Sequence, residues 1–254
     1  MHRIIGGKDF WLAALRHDGA ALRFATESAD GAAPVPSCPG WTLETLVGHV
    51  GRVYSWMRSH VDRGVTEPPE RLVDHRVEVP PWPAAAQWWA ERYELLLATL
   101  EHLDPALPAW NWAPQSKTAG FWFRRAAQET AIHRWDAEAA TGTPVPTEAK
   151  LAADGVTEVL DTWLPAGRWL APGPHEGVVR LTATDIASEW YVRLRGGGIA
   201  LLDTDTLLDS EEHPTTATAA GTASDLHLAL WGRIPMGTLA TTGDTALLTA
   251  LRPG

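Results

Sequence analysis

A chain of 254 residues can bury one large core or two modest ones, and 45% hydrophobic with 20% charged residues is the balance of a soluble globular protein. Its 31 acidic residues against 21 basic ones give a net charge of −10 with no cluster of Lys and Arg, which argues against nucleic acid as a partner. No apolar stretch reaches membrane-spanning length, and a single cysteine, Cys38, excludes an internal disulfide framework and a Cys-rich zinc module.

The opening run from Met1 to Phe10 lacks the apolar segment of a signal peptide, so a cytoplasmic protein with no membrane partner is expected. Four amphipathic helices are predicted in the first half. Residues 8 to 29 repeat Phe10, Leu15, Leu22 and Ala25 at broadly helical intervals. A second helix is expected after Gly40-Trp41, with Thr42 as its N-cap and Glu44 in the electropositive first turn. Its stripe of Leu43, Leu46, Val47, Val50, Val53, Tyr54, Met57 and Val61 has a period near 3.6. Gly48 and Gly51 bracket His49 there and leave room for a close neighbour, at some cost in helix propensity. Residues 65 to 83 are Pro-rich and read as a long connection. A third helix is predicted over 84 to 103, carrying Trp88, Tyr93, Leu96, Leu97 and Leu100. An irregular stretch follows, Pro105 to Thr118, with Trp110 and Trp112; loops of this length in a bundle often cover a site. The fourth helix is expected over 120 to 141, stopped by Gly142 with Pro144 and Pro146 beyond.

The texture then changes. One more helix is predicted over 147 to 164, followed by short alternating runs at Val178–Ala183, Trp190–Leu194, Ile199–Leu202 and Thr215–Ala220. Gly196-Gly197-Gly198 reads as a hairpin turn between two of them, and two short helices, Ser224–Trp231 and Asp244–Leu251, close the chain. Helices first and strands later predict two domains, 1–146 all-α and 147–254 α+β. There is no internal repeat. Tryptophan is used heavily, 14 residues against 4 Phe and 3 Tyr; core filling explains most single positions, though its large face also lines pockets.

Chemistry concentrates on the fourth helix. Glu129 and His133 are i and i+4, so they stack on one face, flanked by Ala126, Ala137 and Ala140. His49 on the second helix is the natural third donor, because facing helices of a bundle build metal sites from inward residues. Two imidazoles and a carboxylate with an open fourth position are what a catalytic zinc requires. Asp136, one turn beyond His133, is placed to orient a ligand. The competing reading is an exposed Glu/His ion pair and a lone helix histidine, both common. Cys38, before Pro39-Gly40 at a helix start, could be a reactive thiol or a small buried residue ahead of a turn. No Ser/His/Asp triad or phosphate-binding loop emerges.

Val35–Val50, Arg125–Gly142, Ala223–Arg233 and Gly243–Leu248 resemble, in order, segments of both domains of the mycothiol-dependent maleylpyruvate isomerase family. The resemblance implies a DinB-like four-helix bundle carrying zinc, followed by a smaller α+β domain similar to the sterol-carrier-protein fold. His49, Glu129 and His133 match the family's zinc-ligand positions, and Arg233 matches, more loosely, a catalytic arginine. Arg233 would clamp a substrate carboxylate with paired donors; an arginine capping a short helix reads equally well from spacing.

The function this implies is that of a zinc-dependent enzyme using mycothiol as thiol cosubstrate. A thiol of ordinary pKa about 8.5 is made a thiolate, attacks a small, acidic electrophile, and gives cis–trans isomerisation or S-transfer. A zinc hydrolase with Asp136 as base, or a non-catalytic ligand-binding protein, are the alternatives. A monomer acting on a small molecule is expected.

Overall fold

The structure, a computed structural model, describes residues 6–70, 77–170, 173–196, 198–202 and 216–253. Part of the Pro-rich connection, Gly197 of the expected hairpin turn and Thr215 at the start of the fourth expected strand lie outside the described residues. The chain divides into two compact units, Gly6–Val145 and Pro146–Gly254.

The first unit is a helical bundle of α1 (Lys8–Glu27), α2 (Leu43–Arg63), α3 (Ala84–His102) and α4 (Gly120–Thr141). Helix α1 packs on α3 and α4, and α2 packs on the same two. Thr42 caps α2 by accepting from the Thr45 backbone N–H, and Gly64 ends it in the left-handed conformation. The α2 stripe is buried except for Val53, which packs at the core's edge. Together with Leu15, Leu22, Trp89, Leu96 and Trp122 it forms one continuous core, each large side chain contributing about 1.5–3 kcal/mol by leaving water. Gly51 is required where it stands: a Cβ there would lie 2.2 Å from a ring carbon of Trp88 on α3. The small residue thus sets how closely α3 approaches the helix that carries His49. Gly142 stops α4 at φ +89°, as its position ahead of two prolines predicted.

In the second unit α5 (Ala149–Glu158) continues as a five-residue π-helical turn, Val159–Trp163, that keeps Val159, Leu160 and Leu164 buried. Among the described residues the sheet has five strands: β1 (His175–Ala183), β2 (Ser188–Gly196), β3 (Gly198–Leu202), β4 (Ala217–Gly221) and β5 (Ala240–Gly243). Their order is β3-β2-β1-β4-β5, with β1 and β4 parallel and the other pairs antiparallel. Strands β2 and β3 pair with Arg195 opposite Gly198, the hairpin its glycines predicted. Trp190, Val192 and Leu194 alternate inward along β2. They share a core with α6 (Ala223–Leu230) and α7 (Thr245–Ala250). Strand β5 was not foreseen, because Ala-Thr-Thr-Gly is too short to show a period. No described helix is long and apolar enough to cross a membrane.

Candidate metal centre

Helix α4 presents Glu129 and His133 on one face, and α2 brings His49 to them from 80 residues away. Glu129 Oε1 lies 3.2 Å from His49 Nε2 and 3.3 Å from His133 Nε2. One donor atom from each of the three falls within 4.8 Å of the others, a grouping that could hold a metal ion. The cluster is graded in exposure: His133 and Glu129 are 6% and 13% exposed, and His49, at 37%, marks the open side.

The hydrogen bonds test whether a cation fits. His133 Nδ1 is 2.9 Å from Asp136 Oδ2, and Asp136 is fully buried. Both ring nitrogens of His133 therefore face carboxylate oxygens, yet a neutral imidazole carries one proton. If Nδ1–H donates to Asp136, the Nε2 lone pair points at another acceptor, a conflict that a cation between Nε2 and Oε1 removes. Two imidazoles and one carboxylate are also a donor set that zinc accepts. Without a cation, protonation of His133 meets the same demand. Burial pushes the His133 pKa down, but Glu129 and Asp136 together outweigh it and the net shift is upward. Burial likewise pushes Glu129 up, yet His133, His49 and Arg125 overcome it and hold the carboxyl well below its usual range.

Asp136 does not serve the site as a free base. Its Oδ1 accepts from the Ser37 hydroxyl at 2.6 Å, while Oδ2 accepts from His133 and from the Cys38 thiol at 3.5 Å. A fully buried carboxylate with three donors is an anchor, so the hydrolase alternative loses the only base the sequence offered it. Cys38 is half-buried against that anchor, ahead of a turn in which the Trp41 N–H donates to the Cys38 carbonyl at 2.9 Å. Pro39 and Gly40, at φ +82°, occupy its corners, the pattern of a type II turn that needs glycine at the third position.

That turn delivers a residue sequence reasoning missed. The Trp41 ring lies 5.0 Å from the ring of His49 and 6.3 Å from that of His133, nearly parallel to the latter at 17°. Its signal was present, a tryptophan directly after Cys-Pro-Gly and ahead of the helix carrying His49. Trp110 and Trp112, expected on a covering loop, pack instead against His60 and Phe121. His60 is about 16 Å further along α2 than His49, at 1.5 Å per residue. Arg125 is the second residue missed; 3% exposed, it donates to Glu129 Oε2 at 3.2 Å from one turn earlier on α4.

Arg233 belongs to the other unit. It follows α6 in a turn where its backbone N–H donates to the Leu228 carbonyl at 2.8 Å. Its guanidinium donates to the Trp231 carbonyl at 3.0 Å, so it satisfies a helix C-terminus, one of the two roles its spacing allowed.

Comparison with known proteins agrees with this architecture. The family model described as "Mycothiol maleylpyruvate isomerase N-terminal domain" matches residues 12–138, and the one described as "MDMPI C-terminal domain" matches residues 150–250. Two solved structures share the fold. One is described as the crystal structure of the mycothiol-dependent maleylpyruvate isomerase, with TM-score 0.63, 12% identity and 93% coverage of both chains. The other is a histidine-to-alanine mutant of that enzyme, with TM-score 0.62, 11% identity and the same coverage. No curated protein matches the sequence. With both family models matched in order along the chain, this protein belongs to the mycothiol-dependent maleylpyruvate isomerase family.

Proposed function

We propose that this chain is a zinc-dependent, mycothiol-using enzyme that isomerises a small cis-unsaturated acid by reversible thiol addition, or transfers the thiol to a related electrophile. The observation that carries this reading is the convergence of two imidazole nitrogens and one carboxylate oxygen within 4.8 Å, open on the His49 side. His49, Glu129 and His133 would hold the metal. Zinc there would supply the Lewis acidity that keeps a thiol of ordinary pKa about 8.5 as thiolate at neutral pH.

The remaining work falls to the chain's own groups. Asp136 holds the Nδ1 proton of His133 and so presents Nε2 as a lone pair. Trp41 supplies an apolar face beside both imidazoles, which limits water at the open side. Arg233 is proposed as the catalytic residue that grips a substrate carboxylate, a role for which a planar guanidinium offers paired donors. The setting inferred is the cytoplasm, with the chain working as a monomer.

Metal analysis of the purified chain, with His49→Ala and His133→Ala, tests the centre. One equivalent of zinc in the parent and its loss in both variants is expected; undiminished zinc in both variants would sink the metal reading. Thermal-shift titration of the zinc-loaded chain with mycothiol tests the cosubstrate, and a rise in Tm that saturates is expected. Cis-to-trans conversion of maleylpyruvate, dependent on mycothiol, then tests the reaction. Arg233→Ala should lower that rate by about 10- to 100-fold with zinc content unchanged.

A further inference from the structure

The two oxygens of Glu129 have separate duties. Oε1 faces the imidazoles of His49 and His133, while Oε2 lies 3.2 Å from the Arg125 guanidinium. An arginine and a glutamate one turn apart on a helix surface ordinarily stabilise the helix only slightly. Arg125 is 3% exposed, so this pair also carries the desolvation cost of a guanidinium, which surface pairs avoid. A residue kept at that cost beside a ligand group calls for a function beyond stability.

The chemistry of the carboxylate indicates one. A glutamate can offer a divalent ion one oxygen or both. Zinc with three protein donors keeps a fourth position for reaction, and a second oxygen from Glu129 would crowd that position by raising the coordination number to five. We propose that Arg125 is a positioning residue that retains Oε2, so that Glu129 ligates through Oε1 alone and one coordination position stays available to the thiol. Arginine suits this task because its charge is permanent and its donors sit in a rigid plane, whereas an ammonium would fix no direction. The inference rests on the metal reading above.

Cobalt(II) in place of zinc makes it testable, since four-coordinate cobalt absorbs visible light far more strongly than five- or six-coordinate cobalt. The parent, Arg125→Met and Arg125→Gln are loaded with cobalt without thiol, and their spectra and metal stoichiometry recorded. They are then titrated with mycothiol. Methionine keeps bulk and offers no donor; glutamine can still donate to Oε2. Arg125→Met is expected to bind one cobalt with visible bands weakened several-fold and mycothiol affinity reduced about tenfold or more, and Arg125→Gln to recover much of both. A parent-like spectrum in Arg125→Met, or equal weakening in both variants, would overturn the role given to Arg125 and leave the metal centre standing. A parent that binds no cobalt would overturn the metal reading itself. Should Arg125→Met fail to fold, Arg125→Leu is read the same way.

Discussion

Replacing Asp136 probes the centre without touching a ligand. Its fully buried carboxylate accepts from Ser37 at 2.6 Å, His133 at 2.9 Å and Cys38 at 3.5 Å. Loss of such a partner behind a metal-bound histidine typically costs 10- to 100-fold in metal affinity, or about 1.4–2.7 kcal/mol. The two informative substitutions divide that range. In Asp136→Asn the amide oxygen still accepts the Nδ1 proton and Ser37 can turn to accept from the amide, so only charge assistance is lost. About tenfold weaker zinc binding is expected. In Asp136→Ala the His133 N–H and the Ser37 hydroxyl both lose a buried acceptor, and the loss moves toward a hundredfold. Competition with a chromophoric chelator at fixed pH measures both, and circular dichroism controls for folding. Zinc affinities within twofold of the parent in both variants would refute the claim that Asp136 orients His133.

The pH response of the centre has a definite sign. In the metal-free chain the depressed Glu129 contributes stability above its unfolded pKa of about 4.3, lost as pH falls through its lower folded value. The raised His133 contributes stability below its unfolded pKa of about 6.5, lost as pH rises through its higher folded value. Zinc needs His133 deprotonated, so between about pH 6 and pH 9 the metal-free Tm should fall while the zinc-induced rise in Tm grows; a rise that shrinks would contradict this. Gly51→Ala should destabilise the chain by about 1 kcal/mol in urea unfolding, because overpacking against Trp88 costs roughly 1–3 kcal/mol against about 1 kcal/mol of gained helix propensity. A more stable variant would show that α3 moves freely. Arg134→Met should cost about 3–5 kcal/mol by the same measurement, since it leaves Asp18 and Glu138 without the cation that they share in the bundle. A change under 1 kcal/mol would show that neither carboxylate depends on it.

Local chemistry made much of the bundle legible. The N-cap at Thr42, the eight-residue stripe of α2 and the stop at Gly142 are written in periods and terminators that act within a few residues. The same holds for the alternation in β2 and the glycines before β3. Strand β5 was hidden because a four-residue strand is recruited by its partner β4, not by its own pattern. Trp41 and Arg125 were hidden for another reason. Their types were plain, but nothing in a one-dimensional pattern says which tryptophan turns toward the imidazoles, or that the second oxygen of Glu129 is already taken.

The stacking of Glu129 and His133 was settled by sequence alone, because four residues on a helix return to the same face whatever surrounds them. The family motifs likewise singled out His49. Its approach to Glu129 across 80 residues, the seat of Trp41 over both rings and the threefold use of Asp136 belong to the tertiary structure. Helix geometry reaches one turn; contact between helices depends on how side chains such as Trp88 pack onto Gly51, a property of the whole core.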